Sequence, residues 1–313
     1  MERTSADAPI RRILVAGATG YIGGLLIPRL LDAGYEVRCL ARDPDKLATR
    51  SWADQVQIVK GDVLALESLP PAFADVDALF YLVHSMGGPD PDFRRKDLQA
   101  ASNTALVAHE QELRRIIYLG GLGEPGDLSE HLASRQEVGR VLAERGVAVT
   151  EFRAAVIVGS GSISFKMVRY LAHRLPVMIT PRWVSTRTQP IAEEDVLRYL
   201  VSAPAVPEST GLILEIGGRD ILTYGDMIKI YGRIQGMRRV LIPVPVLTPR
   251  LSSYWVDLVT PIPSSIAHPL IEGMKTEVIV HDGTARRLFP FRPMGYEEAV
   301  RRVLAGEGAR PPA

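Results

Sequence analysis

The chain has 313 residues, 37 basic and 36 acidic, for a formal net charge of +1, and 46% of it is apolar. That length supports one large α/β domain or two small ones. The charge balance excludes a global field that recruits nucleic acid or anionic membrane. A single cysteine, Cys39, excludes an internal disulfide and fits a reducing, cytoplasmic setting. Residues 1–9 are polar and read as a disordered tail rather than a secretory signal. The longest late uncharged run, 258–271, carries three prolines and is too short to span a bilayer.

In chain order, Ile13-Leu14-Val15-Ala16 reads as a buried parallel strand. The glycines Gly17, Gly20 and Gly23 follow, then an amphipathic helix through Ile22, Leu25, Leu26, Leu30 and Leu31. Pro28 lies inside that helix, where a kink is expected. Further strands are expected at 36–40, 56–59, 78–83, 115–119 and 147–152, with helices at 93–111 and 129–145. This alternation predicts a Rossmann-type, doubly wound parallel sheet over residues 11–160. Beyond it, 161–305 reads as a smaller, interwoven substrate lobe whose 190–220 segment returns to the sheet. Residues 243–269 are proline-rich and apolar, 296–304 reads as a terminal helix, and 306–313 as a disordered tail.

A strand that turns at glycines into a helix aims free backbone N–H groups and a partial positive dipole at one point, which suits a pyrophosphate. Gly17 permits the sharp turn, Gly20 the close approach of a phosphate, and Gly23 close packing of helix on strand. Thr19, Tyr21 and Ile22 belong to the same loop. About 20 residues on, where an NAD site places a carboxylate, the segment Arg38-Cys39-Leu40-Ala41-Arg42 offers guanidinium groups to a 2′-phosphate. NADP(H) is therefore favoured, with NAD(H) possible and Asp43 the counter-argument. Asp62 either contacts the adenine or caps its own turn.

These residues resemble the atypical short-chain dehydrogenase/reductases, in particular NAD(P)H-binding, NmrA-like members. Gly17-Ala18-Thr19-Gly20-Tyr21-Ile22-Gly23 is similar to that group's phosphate loop. The resemblance implies that Arg42 meets a 2′-phosphate, that Asp62 and Val63 meet the adenine, and that Asn103 is the group's asparagine in the fourth helix. Leu82 and His84, ending the fourth strand, complete the expected cofactor surface. Phe152 to Gly159 and Gln189 to Val196 resemble further segments, so the likeness covers residues 11 to 220.

Typical members use Tyr-x-x-x-Lys and a hydroxyl ending the fifth strand. Here that strand ends Leu119-Gly120-Gly121, and His131-Leu132-Ala133-Ser134-Arg135 stands at the Tyr-x-x-x-Lys position. Residues four apart share a helix face, so His131 and Arg135 are expected to look inward. His131 as an imidazolium can protonate a substrate oxygen, Arg135 can bond a nicotinamide ribose, and Ser85 can replace the lost hydroxyl. Alternatively His131 and Arg135 lie on the helix without chemistry, Ser85 satisfies its own loop and His84 is a core histidine. Arg153, Phe165, Met178, Trp183, Arg187 and Gln189 are expected to wall a largely apolar substrate pocket. The acidic run 193–195 stabilises a helix start. No His/Cys spacing suggests a metal.

The expected function is reduction of a small, largely apolar carbonyl, imine or enone, by a monomer or homodimer acting on a small molecule. The alternative is an NADP(H)-binding sensor without turnover. A nucleotide-sugar epimerase or dehydratase is disfavoured by the missing tyrosine and lysine.

Overall fold

The structure is a computed structural model and describes residues 9–84, 92–124, 126, 128–174, 176–243 and 270–308. The expected Ser85, and most of the proline-rich 243–269 segment, lie outside these residues. Seven strands form one parallel sheet in the order β3-β2-β1-β4-β5-β6-β11. They are β1 (Arg12–Ala16), β2 (Glu36–Ala41), β3 (Gln57–Lys60), β4 (Ala78–Tyr81), β5 (Arg115–Gly121), β6 (Val149–Ala154) and β11 (Ile213–Ile216). Helix α1 (Tyr21–Asp32) follows β1, α4 (Phe93–Glu110) follows β4, and α5 (Glu130–Ala143) follows β5.

The pleat explains how one strand serves two cores. Ile13 and Val15 point to the face packed with Leu26, Leu30, Val196 and Leu200. Leu14 and Ala16 point to the opposite face, against Ala101, Val107, Val138 and Leu142. All four strand residues are at most 1% exposed, as a strand covered on both faces requires. The order of the sheet reverses between β1 and β4, so the carboxyl ends of these strands open a crevice.

Helix α1 runs as a single element through Pro28. Serine 129 caps α5 by accepting a hydrogen bond from the Leu132 amide at 3.3 Å. Helix α7 (Glu193–Ser202) begins on the acidic run, and Asp195 there also accepts from the Met294 amide at 2.7 Å. Residues 306–308 are not a tail: they continue the terminal helix Tyr296–Gly308, where Glu307 pairs with Arg169 at 2.6 Å.

A second core gathers Phe165, Val168, Met178, Trp183, Tyr231 and Val300. It joins α6 (Ile163–Arg174), α8 (Tyr224–Ile234), and the pairing of β8 (Val177–Thr180) with β13 (Val240–Pro243). Helix α8 starts with a capping box in which Thr223 and Asp226 satisfy each other's backbone amides. The chain weaves between the cores: β11 pairs with β6, and the short helix Thr284–Leu288 with Phe289 packs into the first core.

Candidate functional site

The turn after β1 has the geometry an anion needs. Gly17 has φ +97°, and a side chain there would meet the Leu82 carbonyl oxygen at 2.6 Å. The Gly20 amide donates to the Gly17 carbonyl at 2.9 Å, and the first helical bond of α1 runs from Gly24 to Gly20. The amides of Tyr21, Ile22 and Gly23 thus precede the helical ladder. Gly20 supplies no side-chain cap, and no acidic residue occupies the first turn. Free amides and an uncompensated positive helix end fit the pyrophosphate of a dinucleotide.

Beside that turn is a cavity of about 390 Å³. Of the expected residues, Gly20, Tyr21, Ile22, Gly23, Leu82, His84, His131 and Arg135 line it. Thr19 is exposed on the turn. The remaining wall is mostly apolar, with Leu122, Leu132, Val156, Ile163, Leu270, Met274 and Val278, and adds Ser162, Ser164 and Tyr224. Sequence reasoning missed this wall. Leu270 and Met274 are four apart on the helical residues 270–274, yet nothing in that spacing says which cavity they face.

The six residues expected to wall the pocket do not line it. Phe165 is fully buried and packs edge-on against Tyr231, with centroids 6.0 Å apart. Met178 is fully buried in the second core, and Trp183 packs against Tyr224. Arg153 is tied to Glu151 at 2.7 Å, and Arg187 to Glu277 at 2.7 Å. Gln189 donates to the Gly218 carbonyl at 2.7 Å and accepts from the Val280 amide at 2.9 Å. The apolar three lie on the faces that hold the second lobe together. Arg187 and Gln189 are consumed in joining segments, and Arg153 in pairing with its neighbour on β6.

Arg38 is also corrected. Its guanidinium bonds Gln57 at 2.7 Å and the carbonyls of Ala72 and Ala74 at 3.0 and 2.6 Å, fastening β2 to its neighbours. Arg42 is exposed where β2 ends. Arg50, which no motif marked, reaches α1, its guanidinium 3.9 Å from where a side chain on Gly24 would begin. Asp62 uses one carboxylate oxygen on the Leu64 amide at 3.0 Å, the turn-capping alternative. Asn103 donates to the Val63 carbonyl at 2.9 Å, so it holds the loop that Asp62 and Val63 belong to.

On the cavity floor His131 and Arg135 do face inward. His131 is 9% exposed, and its ring lies 5.0 Å from that of His84. Burial, then the charges of Arg135 and His84, pull the His131 pKa down to about 3. The Arg135 charge one turn away acts on His131 in the direction its spacing implies, burial adds more, and the ring is neutral at pH 7. The Arg135 guanidinium donates to the Leu119 carbonyl, and its Nε is buried without a partner. Tyr118 donates its hydroxyl to the Arg135 carbonyl at 2.9 Å, fixing α5 on β5. His84 Nδ1 stands 3.4 Å from Asp97 Oδ2. Cys39 is fully buried and its thiol is pushed up to about 12, so it is no nucleophile.

Among the described residues no group of His, Cys, Asp and Glu is placed to hold a metal ion. No helix among them is long and apolar enough to cross a membrane.

Comparison with known proteins agrees with this geometry. Residues 17–157 match the family model described as NAD(P)H-binding. The photosystem II assembly factor Ycf39 of Cyanophora paradoxa is 24% identical over 239 residues, 75% of this chain and 72% of that protein. A (4-alkanoyl-5-oxo-2,5-dihydrofuran-3-yl)methyl phosphate reductase of Streptomyces griseus is 27% identical over 304 residues, 92% of this chain and 98% of that protein. Among solved structures, the Citrobacter sp. triphenylmethane reductase complexed with NADP(H) superposes with TM-score 0.74 at 19% identity, covering 93% of this chain and 99% of that one. The NADPH-dependent quinone oxidoreductase of Escherichia coli complexed with NADPH superposes with TM-score 0.75 at 17% identity over the same shares. Residues 17–157 thus match the NAD(P)H-binding family model, and the likeness to these solved structures shows a shared Rossmann-type fold.

Proposed function

We propose that the protein is an NADPH-dependent reductase of a small, largely apolar acceptor, a carbonyl, imine or enone. One observation carries this reading: the apolar cavity opens directly onto the glycine turn, so an acceptor in it lies beside the reactive end of a dinucleotide held there. Leu122, Leu132, Met274 and Val278 line the cavity together with His84, His131 and Arg135. Relatives named as reductases of a dihydrofuran phosphate and of divinyl chlorophyllide, and a neighbour titled quinone oxidoreductase, support a reducible conjugated acceptor.

The reduced nicotinamide supplies a hydride when bound. The chain's own residues do the rest. The first-turn amides of α1 hold the pyrophosphate, Arg42 the 2′-phosphate, and Asp62 and Val63 the adenine. Leu82 and His84 border the nicotinamide end. Arg135, anchored on the Leu119 carbonyl, keeps a fixed positive charge where negative charge develops on the acceptor. The apolar wall excludes water from that point.

The test is NADPH oxidation against quinones, enones, ketones and aldehydes, with Met274→Trp in parallel. Turnover on one class, abolished by Met274→Trp with NADPH affinity kept, is expected. Tight NADPH binding with no turnover on any class supports the second reading, a sensor, which the absence of serine, tyrosine and lysine at the usual positions favours.

A further inference from the structure

We propose that Asp97, His84 and His131 form a proton relay into the cavity. In it His131 is the catalytic residue that meets the acceptor, and Asp97 and His84 are positioning residues that resupply it. The inference rests on the reductase reading above and names the proton source that reading lacks.

Three elements bring the groups together: the end of β4 carries His84, α4 carries Asp97 and α5 carries His131. The Asp97 side chain is only 6% exposed, and a buried carboxylate requires a cationic or hydrogen-bonding partner. His84 Nδ1 stands 3.4 Å from it. The other ring nitrogen of His84, Nε2, is shielded from solvent and has no hydrogen-bond partner among the described residues. Leaving a buried nitrogen so is costly, and a proton shared with a neighbour removes that cost. The neighbour is His131, with ring centroids 5.0 Å apart and planes tilted by 39°. Both imidazoles line the cavity.

The charges around the pair decide where an extra proton rests. Burial and Arg135 on α5 push protons off His84, while Asp97 on α4 draws them on. His131 has Arg135 and His84 against it, with Asp97 the weakest influence. The phenols of Tyr81 and Tyr118 face the same region, and burial raises both, so they stay neutral. Burial thus lowers both rings, and Asp97 makes His84 the one of the pair that takes a proton first.

As hydride bonds to the acceptor's carbonyl carbon, the π pair of the C=O bond moves to oxygen. Oxygen takes the proton held on one His131 nitrogen. The second His131 nitrogen takes the proton on Nε2 of His84, and Nδ1 of His84, beside Asp97, takes one from water, so His84 also ends neutral. The acceptor is reduced by two electrons at the expense of the reduced nicotinamide, and His131 ends as neutral as it began.

Two measurements on the full chain test this. The first compares His84→Gln, Asp97→Asn, His131→Gln and the double histidine variant on a simple ketone and on 1,4-naphthoquinone. A quinone's electrons land as a stabilised phenolate, so its reduction depends least on a proton donor. Each single histidine variant is expected to lose about 10²-fold or more in kcat on the ketone. The double variant should lose roughly no more, because the groups act as a unit. At saturating NADPH, naphthoquinone turnover should fall at least about tenfold less than ketone turnover in each variant, whatever that variant does to the NADPH Kd. Equal losses on both acceptors, or losses that multiply in the double variant, overturn the relay.

The second measurement follows the imidazole nitrogens by ¹⁵N NMR against pH with NADP⁺ bound. His84 is expected to take a proton at higher pH than His131, with its midpoint moved down by Asp97→Asn and that of His131 moved up by His84→Gln; a His131 midpoint indifferent to His84→Gln overturns the relay. A wild-type protein that binds NADPH and reduces nothing defeats the reductase reading, and the coupling of the two midpoints then decides the relay alone.

Discussion

Gly23→Ala tests the cradle at its tightest point. The added carbon would lie 2.9 Å from the Gly17 carbonyl carbon and 3.1 Å from the Ala18 Cα, with the Gly17 oxygen nearer still. Carbon atoms in contact prefer about 3.5–4.0 Å, so the shortfall is at least roughly 0.6 Å against backbone that cannot rotate aside. The start of α1 must therefore retreat from the turn. Overpacking of this kind costs about 1–3 kcal/mol of stability. Charge-assisted bonds from the displaced amides are worth about 1.5–3 kcal/mol each, so losing one lowers NADPH affinity roughly tenfold to a hundredfold. Gly24→Ala, one residue on, is the control. Its new carbon meets nothing closer than 3.8 Å, and replacing a helix-interior glycine stabilises by about 0.5–1 kcal/mol. Calorimetric titration with NADPH and denaturant unfolding of both variants measure these effects. Wild-type affinity and stability in Gly23→Ala would refute the claim that close approach of α1 builds the site.

Two more outcomes follow from the same geometry. Arg42→Ala should weaken NADPH about tenfold, the value of a charge-assisted contact, and leave NADH unchanged. Arg38→Ala should instead lose stability, with the ratio of the two dissociation constants kept; a shift of that ratio would put Arg38 back in the site. For pH, His131 is lowered in the folded chain by burial, then Arg135 and His84. The unfolded chain therefore binds a proton that the folded chain refuses between about pH 6.5 and about 3. That stability is complete above pH 6.5 and is lost as pH falls, at up to about 1.4 kcal/mol per unit. His131→Phe should flatten the slope of unfolding free energy between about pH 6 and 4 by one proton; an unchanged slope means His131 titrates normally in the fold.

Much of this protein is local and was therefore legible in its residues. The run Ile13 to Ala16 has the pattern of a strand covered on both faces, and glycine at 17, 20 and 23 leaves few alternatives to a tight strand-to-helix turn. Spacing four apart put His131 and Arg135 on one inward face, which requires no knowledge of distant residues.

Tertiary structure decided what those side chains meet. Arg38 and Arg42 look alike in sequence, but Arg38 lies within β2, where the carbonyls of Ala72 and Ala74 meet it, and Arg42 stands just past the strand's end. Phe165, Met178 and Trp183 have the composition of a pocket wall and are spent on a core, while Leu270, Met274 and Val278 arrive from far along the chain. His131 reads as an acid until burial beside Arg135 and His84 removes its charge. Secondary structure follows from neighbours within a few residues, whereas the polarity of a site depends on which distant groups the packing brings within a few ångströms.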